Sequence, residues 1–179
     1  MKKMKFLLVA FLLSAGAFPL LSNAQDPIDP EKRLKELGIE LIIPKEPSNI
    51  KLASRVGNIV YLSGNGPLLP NGEFMIGKVG EDVDLEQAKE AARLTAISLL
   101  AALKGEIGDL NKVKKVVKVL GMVNAVPSFK DHIQVINEFS KVMVDVFGPN
   151  GKHARSAVGL GSLPRNIPVE IEMIVELKE

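Results

Sequence analysis

The chain has 179 residues, no cysteine, no tryptophan, one tyrosine and seven phenylalanines, so it can bury one sizeable core but has no disulfide, thiol nucleophile or thiolate metal site. Its formal charge of +2 owes much to Lys2, Lys3 and Lys5; taking those three from the 23 Lys and Arg leaves 20 against 21 Asp and Glu, a net of −1. That balance, with few aromatics to stack on bases, argues against nucleic acid as a partner.

The three lysines precede an apolar run over residues 6–13, continued by Ala15, Ala17, Phe18, Leu20 and Leu21 to the small residues Ser22 and Ala24. This is the pattern of a secretory signal over 1–24. Ser14, Gly16 and Pro19 interrupt it, which disfavours a membrane anchor, and no Cys follows to carry a lipid. The expectation is an exported chain, periplasmic or secreted, with no membrane attachment after cleavage. Residues 25–49 read as an N-terminal extension and linker. Pro30 opens a short amphipathic helix over 31–37, Gly38 ends it, and Pro44, Pro47 and Ser48 lead into a single domain over 50–179.

In that domain, residues 50–55 and 58–63 read as strands joined at Val56-Gly57-Asn58. The second ends on Ser63-Gly64-Asn65-Gly66-Pro67, whose small residues leave backbone donors open. A turn at Pro70-Asn71-Gly72 leads into an unpatterned stretch. Asp84 and Gln87 then form a capping box, and apolar residues from Leu85 to Leu103 recur at helical spacing up to Gly105. Residues 113–123 are β-branched, with Lys112, Lys114, Lys115 and Lys118 around and among them, as in a strand with a solvated outer face. A second helix is expected from an N-cap at Ser128 to Phe147, with Ile133, Ile136, Phe139, Val142, Met143 and Val146 inward. Gly148-Pro149-Asn150-Gly151 stops it, and strands over 154–160 and 168–177 close the chain. The order is ββαβαββ: an α+β two-layer sandwich, with two helices on one face of a mixed sheet. The other sheet face needs a cover, which points to self-association.

Little in the chain can do chemistry. His132 and His153 are the only histidines and lie on different elements, Ser63 lacks a nucleophile elbow, and Gly159-Leu160-Gly161 is not a phosphate loop, so neither metal nor cofactor is implied. What remains is Arg155, the Ser63-Gly64 turn, and Glu170 and Glu172 on one face of the last strand. A planar, permanently charged guanidinium at a strand end can clamp a carboxylate ligand; the plainer reading is a surface ion pair with a nearby Glu.

Four separated segments, Val60-Tyr61-Leu62-Ser63-Gly64-Asn65-Gly66-Pro67, Asn137, Ala154-Arg155-Ser156-Ala157-Val158-Gly159 and Leu163-Pro164-Arg165-Asn166-Ile167-Pro168-Val169-Glu170-Ile171-Glu172, together resemble the reactive intermediate deaminase family, RidA-like or YjgF type. The resemblance covers roughly residues 50–177. It implies a chorismate-mutase-like fold, a homotrimer with a cleft at each subunit interface, and hydrolysis of enamines and imines to 2-oxo acids and ammonia without a cofactor. By the same resemblance Arg155 would hold the substrate carboxylate and Glu170 would activate water. Ser63 and Gly64 would line the cleft, and Asn137 would add a polar contact. Two positions depart from the family: Ile50 stands where active members commonly carry a Tyr, and Ala157 where many have a Cys. Alternatives are a non-catalytic binder of small carboxylates and, disfavoured by the charge balance, an endoribonuclease.

Overall fold

A computed structural model describes residues 28–45, 47 and 49–179. The signal segment expected over 1–24 lies outside them. The described elements are helix α1 (Pro30–Glu36), strands β1 (Ala53–Val56) and β2 (Ile59–Asn65), helix α2 (Leu85–Ile107), strand β3 (Val113–Asn124), helix α3 (His132–Phe147), and strands β4 (Ala154–Leu160) and β5 (Val169–Leu177). Three short 3-10 turns lie between them. The five strands form one sheet in the order β1-β2-β5-β3-β4, antiparallel throughout except for the parallel pair β3 and β4. This is the expected α+β, chorismate-mutase-like architecture, with α2 and α3 on one face.

The first hairpin turns through Gly57-Asn58, since Val56 pairs with Ile59; Gly57 takes the positive φ of 60° that the first turn residue requires. Helix α2 begins as its sequence dictates. The Asp84 carboxylate accepts from the Gln87 amide at 2.8 Å, and the Gln87 side chain accepts in return from the Asp84 amide at 3.0 Å. Its inner face buries Ala88, Ala91, Ala92 and Ala96, which let the backbone approach the sheet closely, followed by Leu99, Leu100 and Leu103. Truncating any of those leucines to Ala would cost about 2–5 kcal/mol.

The end of α2, the start of α3 and the facing of Ile133 differ from expectation. Gly105 does not stop α2: burial of Ile107 carries the helix one half-turn further, and Gly108, at φ 79°, caps it by donating its amide to the Lys104 carbonyl. Helix α3 does not start at Ser128, because Pro127 and Ser128 are the central residues of a turn in which the Phe129 amide donates to the Val126 carbonyl at 3.0 Å. The N-cap position falls to Asp131. Ile133 then lies on the flank of α3 with Asn137 and Ser140, 61% exposed, while Val135 takes an inward place.

In β3 the core residues Val113, Val116 and Val119 are three apart, an interval a regular strand cannot use. Register shifts against β5 between Val113 and Lys115 and between Val116 and Lys118 supply the extra residues and turn Lys114 and Lys115 out to solvent together. Strand β5 is regular: Val169, Ile171, Met173, Val175 and Leu177 point into the helix-covered core, and Glu170, Glu172, Ile174 and Glu176 face away.

The N-terminal extension is fastened to this body. Asp29 caps α1 by accepting from the Lys32 amide, Leu34 is buried, and Glu31 accepts from Lys104 Nζ at 2.6 Å and from the Leu110 amide at 3.1 Å. Among the described residues no helix is long and apolar enough to cross a membrane.

Candidate functional site

The residues singled out from the sequence fall into two clusters. In the first, Arg155 projects from β4, an edge strand, toward the flank of α3. Its Nη1 donates to Ser140 Oγ at 2.8 Å and its Nη2 to Asn137 Oδ1 at 3.0 Å. Asn137 and Ser140 are three residues apart on a helix and so share a face, which lets them receive both arms of the planar fork. None of the ion pairs among the described residues involves Arg155. Its charge is held by neutral oxygens, not spent on a Glu, and this departs from the plain surface-pair reading. Partial burial pushes its pKa down, yet an arginine so placed remains protonated.

Behind this cluster lies His153, two residues earlier on the same side of the chain. Its Nε2 is 3.1 Å from Ser140 Oγ, its Nδ1 is 2.7 Å from the Gly151 carbonyl, and its ring meets Phe139 edge-on. Burial pushes its pKa down, a direction the Arg155 charge reinforces and the Gly151 hydrogen bond opposes. Sequence reasoning missed Ser140 and set His153 aside as a structural or surface histidine. The i, i+3 spacing from Asn137 and the i, i+2 spacing to Arg155 were the signals that could have found them.

The second cluster surrounds Glu170. Between Leu62 and Asn65 strand β2 slips its register against β5, so that Ser63 and Gly64 bulge opposite Glu172 and Gly64 comes against the Glu170 carboxylate. A Cβ at Gly64 would overlap Glu170 Oε1, so a larger residue there would push the carboxylate aside. Burial is the main cause that pushes the Glu170 pKa up, and the charge of Glu172 on the same face adds to it. Ser63 is tied into the hairpin: its Oγ donates to the Lys51 carbonyl at 2.7 Å, and its amide donates to Leu52. Ile50, beside that contact, is 58% exposed.

The turn that delivers β5 to this place is braced. Arg165 and Asn166 both adopt a φ of 57°, uncommon for non-glycine residues. Asn124, fully buried, donates its amide to Asn166 Oδ1 at 2.9 Å and to the Ile167 carbonyl at 3.2 Å; the Gly77 amide donates to the Asn166 carbonyl at 2.7 Å. The Arg165 guanidinium lies 5.3 Å from the centre of the Phe74 ring. The segment between β2 and α2, unpatterned in sequence, thus serves as the strap that fixes the start of β5.

The two clusters do not meet within one chain. Arg155 pairs with Val119 and Glu170 with Met122 across the intervening β3, which places their Cα atoms roughly 14 Å apart from strand spacing and rise. They also face opposite ways, Arg155 toward α3 and Glu170 toward the sheet face that no helix among the described residues covers. That face carries Tyr61, Leu120, Met122, Val158 and Ile174 among Lys118, Glu172 and Ser156. Among the described residues no group of three or more His, Asp or Glu is arranged to hold a metal ion.

Residues 31–177 match the family model described as "YjgF/chorismate_mutase-like, putative endoribonuclease". The chain is similar to a crystal structure of a protein of unknown function from Agrobacterium tumefaciens, at 42% identity and a TM-score of 0.77 over 83% of this chain and 92% of that one. A crystal structure described as "a putative endoribonuclease" from Shewanella oneidensis superposes with a TM-score of 0.78 at 28% identity, covering 83% of this chain and 99% of that one. Protein TCP17 of Trypanosoma cruzi is 36% identical over 147 residues, 80% of this chain and 91% of that protein. On this family match, supported by the shared fold, the chain belongs to the YjgF/RidA family.

Proposed function

We propose that the protein hydrolyses reactive 2-imino acids and their enamine tautomers to 2-oxo acids and ammonia, in a cleft formed between copies of the chain. The observation that carries this reading is the charge at Arg155: partly buried, oriented on one side by Asn137 and Ser140, and paired with no carboxylate among the described residues. A small carboxylate ligand is the natural partner for the donors left over. Glu170 supplies the second element. Water adding to the imine carbon must give up a proton as the carbon–nitrogen double bond opens, and the nitrogen must gain protons before ammonia leaves. A carboxylate whose pKa is raised by burial is better matched to that exchange than an ordinary one. The iminium is already electrophilic, so holding its carboxylate and placing one water accounts for much of the catalysis.

Arg155 and Glu170 are far apart in one chain, so the reading requires self-association. A second copy that lays its β4 edge across the uncovered sheet face would bring its Arg155 to Glu170 and bury the apolar side chains there, in keeping with the homotrimer that the family resemblance implies. The test is ammonia release from a freshly generated 2-imino acid, with the assembly's mass measured in the same preparation. Acceleration over buffer by an oligomer supports the proposal; a monomer, or no acceleration, overturns it.

Two observations favour the alternative, a binder of small carboxylates without turnover. The Ser63 hydroxyl is already engaged with the Lys51 carbonyl, and Ile50 offers no hydroxyl. Binding of a 2-oxo acid without ammonia release would select it. Cleavage of single-stranded RNA by protein free of contaminating nuclease would select the endoribonuclease instead.

A further inference from the structure

The hydrogen-bond chain behind Arg155 can be assigned proton by proton. A carbonyl oxygen only accepts, so the contact between His153 Nδ1 and the Gly151 carbonyl requires a proton on Nδ1. A neutral imidazole has one N–H, so Nε2 is then an acceptor. Arg155 only donates, so Ser140 Oγ receives Nη1–H and keeps its own hydrogen for His153 Nε2. Every group in the sequence Arg155, Ser140, His153, Gly151 is satisfied, all in one direction.

The far end of this chain is fixed by packing. A Cβ at Gly151 would overlap the Met143 carbonyl, so glycine alone allows the 3-10 turn over Gly148–Gly151 to lie against α3. That approach sets the Gly151 carbonyl beneath the imidazole, while Phe139 meets the ring edge-on.

We propose that His153 is a positioning residue: as a neutral imidazole accepting from the Ser140 hydroxyl, it fixes Ser140 as the acceptor that aims the Arg155 guanidinium at a ligand carboxylate. This rests on the carboxylate-site reading above. A protonated imidazole would turn Nε2 into a second donor toward Ser140 Oγ and leave the hydroxyl hydrogen without that acceptor. Burial and the neighbouring Arg155 charge both oppose that state, against the Gly151 hydrogen bond. Arg155 is the charged group facing the ring; Ser140 and Phe139 from α3 and the Gly151 carbonyl from the 3-10 turn are its neutral neighbours.

The experiment titrates the full chain with 2-oxobutanoate by calorimetry. His153→Phe keeps the ring and removes the acceptor; His153→Gln places an amide oxygen near the Nε2 position. The expected result is an affinity loss of about tenfold for His153→Phe, a similar loss for Ser140→Ala, and recovery to within about threefold of wild type for His153→Gln, since hydrogen bonds to charged groups are worth more than neutral ones. Turnover should show the same split, with KM raised and kcat kept. The chain has two histidines, so the 15N side-chain spectrum is readily assigned with His132→Gln, and His153 should carry its proton on Nδ1. The inference is overturned if His153→Phe binds as wild type, if His153→Gln falls as far as His153→Phe, or if the proton sits on Nε2. Should His153→Phe fail to fold, Ser140→Ala and the 15N spectrum decide. If Arg155→Ala leaves binding intact, the carboxylate site falls and takes this inference with it. If Arg155→Ala loses binding and His153→Phe does not, the relay alone falls.

Discussion

The Arg155 and Glu170 clusters handle charge in opposite ways. Arg155 is surrounded by neutral acceptors that suit its charged form, and burial lowers the pKa of a group that stays protonated regardless. Glu170 is packed over Gly64 with Glu172 on the same face, and both burial and that neighbour disfavour its charge. In the proposed site the first would keep a charge fixed and the second would let a proton come and go. A site that must hold an anion and also move protons needs both.

The largest effect is expected at Arg155. Arg155→Ala removes the whole fork, and 2-oxobutanoate affinity should fall by about a hundredfold or more in calorimetry, because two charge-assisted hydrogen bonds are lost at once. Glu170→Gln should leave that affinity close to wild type and cut ammonia release by about a hundredfold. Loss of binding in both variants would mean that the two clusters do not divide their work in this way.

Glu170→Gln also tests the electrostatic half of the contrast through stability. A carboxylate whose pKa is raised by folding contributes stability that is fully present below its unfolded pKa and is lost as pH rises through its folded pKa. The Gln variant has no such loss. Its Tm should therefore exceed that of wild type at neutral pH, and the gap should close as pH falls below the ordinary carboxylate range. A constant gap would show that burial does not disfavour the Glu170 charge.

Gly64→Ala acts on the Glu170 cluster alone. The added methyl displaces the carboxylate, so turnover should drop about tenfold and stability by about 1–3 kcal/mol, with carboxylate affinity retained. The smallest expected effect is at Asn137. Asn137→Ala removes one of two acceptors from an exposed contact, and affinity should weaken by about threefold with kcat unchanged. A loss as large as that of Arg155→Ala would make Asn137 a direct ligand contact.

The readable parts of the molecule were those with local causes. The capping box at Asp84 and Gln87, the Gly57 turn and the alternation of β5 each depend on residues a few positions apart, and each stands where the sequence placed it. Ser128 was misread because a turn closed by Val126 and Phe129 delays the start of α3, and Ile133, near that start, falls on the flank, whereas Ile136, Phe139, Val142, Met143 and Val146 face inward as expected. The bulges of β3 were hidden for a related reason: three-residue spacing of valines has no meaning until β5 defines the register.

The sequence alone determined the element order, the two-layer architecture and the identity of Arg155, Glu170, Ser63, Gly64 and Asn137 as residues worth following. The order and architecture rest on periodicity and capping, which are properties of neighbours along the chain; Arg155, Glu170 and the Ser63-Gly64 turn stood out by residue type and place, and Asn137 only through the family resemblance. Tertiary structure decided which of those residues share a cluster. Asn137 joins Arg155 because α3 packs over β4; Glu170 joins Gly64 because β2 slips its register against β5; and Arg155 and Glu170 are kept apart by β3. Ser140 entered only there, and His153 gained its place beside Arg155 only there, since a hydrogen bond between a helix and an edge strand depends on a packing geometry that no local pattern encodes.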